Sequence, residues 1–224
     1  MARRIDGDAT AAAVMMAGSA TFLVAGNMPV AWVFVQRDPR RRLAMLQAKP
    51  MQWKAEQLLF AAGTVVMPVG VVGLARHWDT GSKRRSQEPL AGQRLAQTAA
   101  LALAAGAPLF LGHLQARYRD PEAFASWKLP MWPFHAYMWL NLAGMAALGG
   151  ALLARSRARK SDTGILPPDP RWPGWLNVGG AAVFAGILVI TGDIPPLMVY
   201  AVELATGAAL IRQLRRGANR ETPA

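Results

Sequence analysis

Glu203 stands alone among apolar residues. Across residues 194–211 it is the single charged side chain, and a run of that size approaches the roughly 20 residues that a helix needs to cross the hydrocarbon core of a bilayer. A carboxylate at bilayer depth is disfavoured by about 3 kcal/mol on insertion scales, and by default it is a hypothesis about function. In its neutral form a glutamic acid donates as well as accepts a hydrogen bond, so proton transfer and ligand anchoring are the chemistries to consider. Tyr200, Thr206 and Gly207 share its stripe at helical spacing, while Leu197, Ala201, Val202 and Leu204 face elsewhere. Asn141, flanked on its own helical face by Tyr137 and Gly144, falls at similar depth in another apolar run. Glu203, Tyr200, Asn141 and Tyr137 are therefore the expected ligand- or proton-binding residues. The alternative is that they only bond helix to helix, at about 1 kcal/mol each.

A second group is expected at one end of the helices: His113, His135, Glu56 and Asp193. Histidines and carboxylates ligate transition metals, and two histidines on facing helices can hold haem. No His-x-x-x-His pair and no His-Glu-x-x-His helix is present, so the expectation is no cofactor, with a metal or haem at His113 and His135 as the alternative. Asp193 follows Gly192 and is expected to form a turn that caps the last helix. The absence of Cys excludes thiolate catalysis and Cys-ligated metal centres. Gly81-Ser82-Lys83 lacks the upstream glycine of a phosphate-binding loop, and there is no Gly-x-Ser-x-Gly elbow. Nothing in these motifs indicates an enzyme.

The elements that position these residues follow from composition. Of the 224 residues 53% are hydrophobic, and they are gathered into blocks separated by basic clusters. That is the pattern of an all-α, polytopic integral membrane helical bundle. One membrane domain over 1–224 is expected, with six transmembrane helices at about 10–35, 56–75, 94–115, 130–154, 173–191 and 194–212. The first is read as a retained helix because its apolar stretch is about twice that of a signal peptide. Pro29, Pro68 and Pro108 are expected to kink the first three helices. Between the first two, Asp38 as N-cap and Pro39 at the first helical position predict a short interfacial helix over 39–48 that Pro50 ends. Its Arg40, Arg41 and Arg42 suit anionic headgroups. The segment from Arg155 to Arg171 reads as a basic, proline-containing connector, and the tail from about Gly217 as disordered.

The formal net charge of +12 does not indicate nucleic acid, because the 25 Lys and Arg residues lie beside the membrane ends. With the N-terminus inside, 16 of them are cytoplasmic and nine external, so both termini are expected in the cytoplasm. The basic first loop is the main exception to that rule. Small-residue pairs such as Ala143 with Ala147 and Ala182 with Gly186 suit packing within the bundle, and they leave an oligomer open without indicating one. The expected location is a cell membrane, of the kind found in the bacterial inner membrane. Three roles fit: a small transport or ligand-binding bundle built on Glu203, a structural or assembly subunit without chemistry, and a haem- or metal-binding redox protein or enzyme using His113 and His135.

Overall fold

A computed structural model describes residues 2–82, 90–162 and 171–218. Among the described residues there is no strand, and six helices are long and apolar enough to cross a membrane. The chain runs through α1 (Ala2–Gly26), a 3-10 helix (Pro29–Phe34), α2 (Pro39–Ala48), α3 (Pro50–Ser82), α4 (Leu90–Arg119), α5 (Pro121–Ala125), α6 (Trp132–Asp162), α7 (Trp172–Thr191) and α8 (Leu197–Ala218). The proline-containing part of the connector before Trp172 and the tail beyond Ala218 lie outside the described residues.

The six long helices close a ring. Each packs on the next along the chain, from α1 to α3, α4, α6, α7 and α8, and α8 returns to pack against α1. The tightest seam joins α1 to α3. A side chain at Gly18 would collide with the backbone of Met67, and one at Gly70 with the backbone of Met15, so glycine at both positions lets the two helices approach to backbone contact. At the other end of these helices Arg155 of α6 pairs with Asp8 of α1 at 3.1 Å and lies over the Trp78 ring. Trp78 belongs to α3, so three helices are tied together there.

Helix α1 differs from its expected course. It stops at Gly26 instead of kinking at Pro29 and running on to Val35, and the chain re-forms as a 3-10 helix with Pro29 in its first turn. The cause is local. Pro29 has no N–H to continue the ladder, and Asn27 turns its amide back onto the Leu23 carbonyl at 2.7 Å. Pro68 and Pro108, by contrast, sit inside unbroken helices. Pro50 also has a different position from the expected one: Lys49 alone separates α2 from α3, and Pro50 is the first residue of the new helix.

The connections α1–α3 and α4–α6 fold together into a cap at one end of the ring. Asp38 caps α2 by accepting from the Arg40 N–H at 2.9 Å, and Asp120 caps α5 by accepting from the Ala123 N–H at 2.8 Å. Val30, Val33, Leu46, Trp53 and Phe124 form a second apolar core beneath these caps, separate from the main core of the ring. Helix α2 thus rests on protein, and its inward face carries Arg42 and Leu46. Of the three arginines expected at headgroups, Arg40 and Arg41 are exposed, whereas Arg42 is fully buried.

Candidate functional site

Helix α8 presents Tyr200, Glu203, Thr206 and Gly207 to the interior, all of them buried. The Tyr200 ring stacks on Phe22 of α1 at 3.7 Å between centroids and an angle of 7°. A side chain added at Gly207 would meet Met16 and Ala12 of the same helix. Glu203 lies between these two fixed points on the same stripe and is near enough to Tyr200 to act on it electrostatically.

The tyrosines link the helices. The hydroxyls of Tyr200 and Tyr137 of α6 share a hydrogen bond of 2.8 Å, and Tyr200 donates a longer one of 3.4 Å to the Thr64 hydroxyl of α3. Tyr137 stacks in turn on Phe110 of α4 at 4.4 Å. Side chains of α1, α3, α4, α6 and α8 therefore converge on one polar centre in an apolar ring. Thr64 belongs to it although its sequence gave little sign: a threonine in an apolar helix ordinarily bonds the carbonyl one turn back, and Thr64 does so at Phe60. Pro68 adds a second feature, because it withholds the N–H that would otherwise engage the Thr64 carbonyl.

Two of the expected residues behave differently from the pair of tyrosines. Asn141 is buried, but its amide donates to the Tyr137 carbonyl on its own helix at 2.9 Å. Glu203 is 0% exposed, and neither carboxyl oxygen has a hydrogen-bond partner. Every other polar side chain of this centre makes at least one hydrogen bond, including Ser19 to Met15, and Asn177 of α7 to Thr206 at 2.6 Å. An unpartnered carboxyl group in such surroundings is costly whether it is charged or neutral, and more so when charged.

The other expected group lies toward the cap and does not collapse into a single site. His135 bonds the Gly192 carbonyl through Nε2 at 3.1 Å, joining the start of α6 to the end of α7. His113 is buried with its Nε2 unpartnered and its ring against Phe134. Glu56 is fully buried, meets only the Gln57 amide at 3.4 Å, and attracts Arg117 electrostatically. Asp193 is exposed in the α7–α8 turn and also acts on Arg117. Among the described residues no three His, Asp or Glu side chains are arranged to hold a metal ion. Arg117 itself was not expected here. It is buried under four rings, those of Phe34, Phe110, Phe124 and Phe134.

Arg42 completes this end. Its guanidinium lies 3.7 Å from the Trp127 ring centroid and 4.5 Å from that of Phe124. Burial alone lowers the Arg42 pKa below the ordinary guanidinium value, since desolvation penalises the charge. Trp127 reaches it from a position that few side chains adopt, with φ at 58° where the end of α5 closes through bonds from Lys128 N–H to Ala123 and from Trp127 N–H to Phe124. Glycine is the usual residue at such a helix end, and a bulky one costs about 1–3 kcal/mol in backbone strain. No protein-family model, no curated protein and no solved structure matches this chain.

Proposed function

We propose that this multi-pass membrane protein is a small transport or ligand-binding bundle in which Glu203 is the working group. One observation carries the reading: both Glu203 oxygens are buried and unpartnered beside tyrosine and threonine hydroxyls that are all bonded. A carboxyl in that position needs a proton or a bound cationic or hydrogen-bonding group to neutralise it. The hydroxyls of Tyr200, Tyr137 and Thr64 form the adjacent relay, each able to donate or accept. The excess of Lys and Arg in the two tails and in the connections α3–α4 and α6–α7 supports both termini in the cytoplasm, with the cap on the opposite side.

The test is proton movement. Purified protein is reconstituted in vesicles with a trapped pH-sensitive dye, and an imposed pH gradient is followed with and without Glu203→Gln. The reading expects the wild type to dissipate the gradient and the variant, folded in detergent, to lose that activity. Absence of flux in the wild type, or equal flux in both, contradicts a proton-linked role.

A second reading, a structural or assembly subunit, is favoured by α7. Its Gly179 and Gly186 have open space where a side chain would stand, and Ala182 between them is exposed. A partner helix could approach closely there. Recovery of a stable complex after gentle extraction, lost on Gly186→Leu, would favour this reading over the first.

A further inference from the structure

The structure assigns a second site, in the cap: we propose that Arg42, Arg117 and Trp53 form a binding site for a monoanionic oxyanion, a phosphodiester or a carboxylate. The site is independent of Glu203 and rests on different residues.

Several buried donors of the cap have no acceptor among the protein's own atoms. Arg42 is 0% exposed, and its Nε, Nη1 and Nη2 all lack a hydrogen-bond partner. The Nε of Arg117 and the indole Nε1 of Trp53, both on buried side chains, are unpartnered as well. All three surround one ring: Trp53 stacks on Phe124 at 5.3 Å, and the two guanidinium carbons lie 4.5 and 5.3 Å from its centroid. Buried donors of this kind are normally bonded, and several orphaned together call for an explanation, which a bound anion supplies.

Charge sets the class of the ligand. Two guanidinium groups are buried toward the cap; among the described residues Glu56 is the carboxyl buried with them, and it and the exposed Asp193 both act on Arg117. Asp38, Asp120 and Glu122 lie on the outside of the cap, the two aspartates engaged as helix caps. Arg42 is therefore the guanidinium left without an acidic counterpart, and one negative charge balances it. Geometry narrows the class further. Aromatic rings cover the faces of the Arg42 guanidinium, so its hydrogen-bonding capacity is directed along its edge, the direction in which guanidinium groups grip carboxylate and phosphate oxygens in pairs.

Access and surroundings fit such a ligand. Trp127 lies over Arg42 and is 56% exposed, so one partly exposed ring stands between the guanidinium and the surroundings on that side. One turn along α2 lies a cavity of about 130 Å³ lined by Pro29, Val30, Met45, Ala48 and Lys49. It combines an apolar wall with a further ammonium group, suitable for the body of an anionic amphiphile.

The test uses full-length protein in an uncharged maltoside detergent. Phosphatidylglycerol, inorganic phosphate and acetate are added separately, with chloride at matched ionic strength as control, while Tm and tryptophan fluorescence are followed. At least one oxyanion is expected to raise Tm and change the fluorescence beyond the chloride control. A response to phosphatidylglycerol alone identifies a lipid headgroup as the source, and a response to phosphate or acetate identifies a soluble anion. Arg42→Met should weaken that binding by at least about tenfold, while its ligand-free Tm stays equal to or above that of the wild type, because a buried uncompensated charge has been removed. Glu56→Gln, which removes the competing carboxylate, should tighten binding, and Trp53→Phe, which removes the indole N–H together with part of the ring, should weaken it. These two variants decide the matter if Arg42→Met does not fold. The proposal is overturned if no oxyanion acts on the wild type beyond chloride, or if the variants respond as the wild type does.

Discussion

Replacing Glu203 with Met should make the protein more stable and inactive. The side chains are of similar length, so the substitution leaves the packing between α8 and α1 largely filled. No hydrogen bond is lost, because neither Glu203 oxygen makes one. What disappears is the cost of burying an unsatisfied polar group, about 1–3 kcal/mol, and the variant should gain an amount of that order. Tyr137→Phe supplies the opposite case. It deletes a hydroxyl that bonds Tyr200 at 2.8 Å, and interhelical bonds of this kind in membranes are worth about 0.6 kcal/mol on average and up to about 1.7. The assay is reversible unfolding in mixed micelles with a rising fraction of denaturing detergent, both variants measured beside the wild type. The reasoning is refuted if Glu203→Met loses more than about 1 kcal/mol, since that loss would require a partner for the carboxyl and make Glu203 a structural hydrogen bond.

Two further outcomes test the packing of the ring. Gly70→Ala places a methyl group against the backbone of Met15, and overpacking of that kind should lower stability by about 1–3 kcal/mol, read as a fall in Tm in detergent; an unchanged Tm would mean that α1 and α3 are less closely joined. Arg155→Met removes the partner of Asp8, whose side chain is 7% exposed, but Arg155 itself is 29% exposed, so the loss should stay near 1–2 kcal/mol, below the roughly 3–5 of a fully buried pair. Equal stability of the variant and the wild type would show that the pair does not tie α6 to α1.

The membrane-length helices were legible because their signal is simple: long apolar runs interrupted by basic clusters carry it without any knowledge of neighbours. The break after Gly26 was less legible. A proline in an apolar run reads as a kink, and only the local bonding of Asn27 and the 3-10 turn at Pro29 decide that the helix ends. At the polar centre, helical spacing placed Glu203 and Tyr200 on one face and Tyr137 on another helix at like depth, and the tyrosines do meet. Spacing could not show that Asn141 would turn back to its own helix, or that Thr64 would come in from α3, because both depend on which helices are neighbours.

The cap shows the same boundary. Arg40, Arg41 and Arg42 are alike as residue types, and in sequence all three suit a headgroup layer. The fold distinguishes them, because the face of α2 that carries Leu46 also carries Arg42 and is turned onto Trp53 and Phe124. The spacing of Arg42 and Leu46, four residues apart, was the available signal. The aromatic residues that receive the guanidinium come from α5 and the turn after it, about 80 positions away in sequence, which no local pattern reveals.

The most direct test of Glu203 as a working group is its carboxyl infrared band in reconstituted protein, taken as a difference between wild type and Glu203→Gln across a pH series. The account predicts a carbonyl band of the protonated acid that is absent from the variant, changes with pH and shifts promptly in heavy water. A Glu203-dependent band that neither responds to pH nor exchanges would contradict it, and would assign the carboxyl to a closed structural contact.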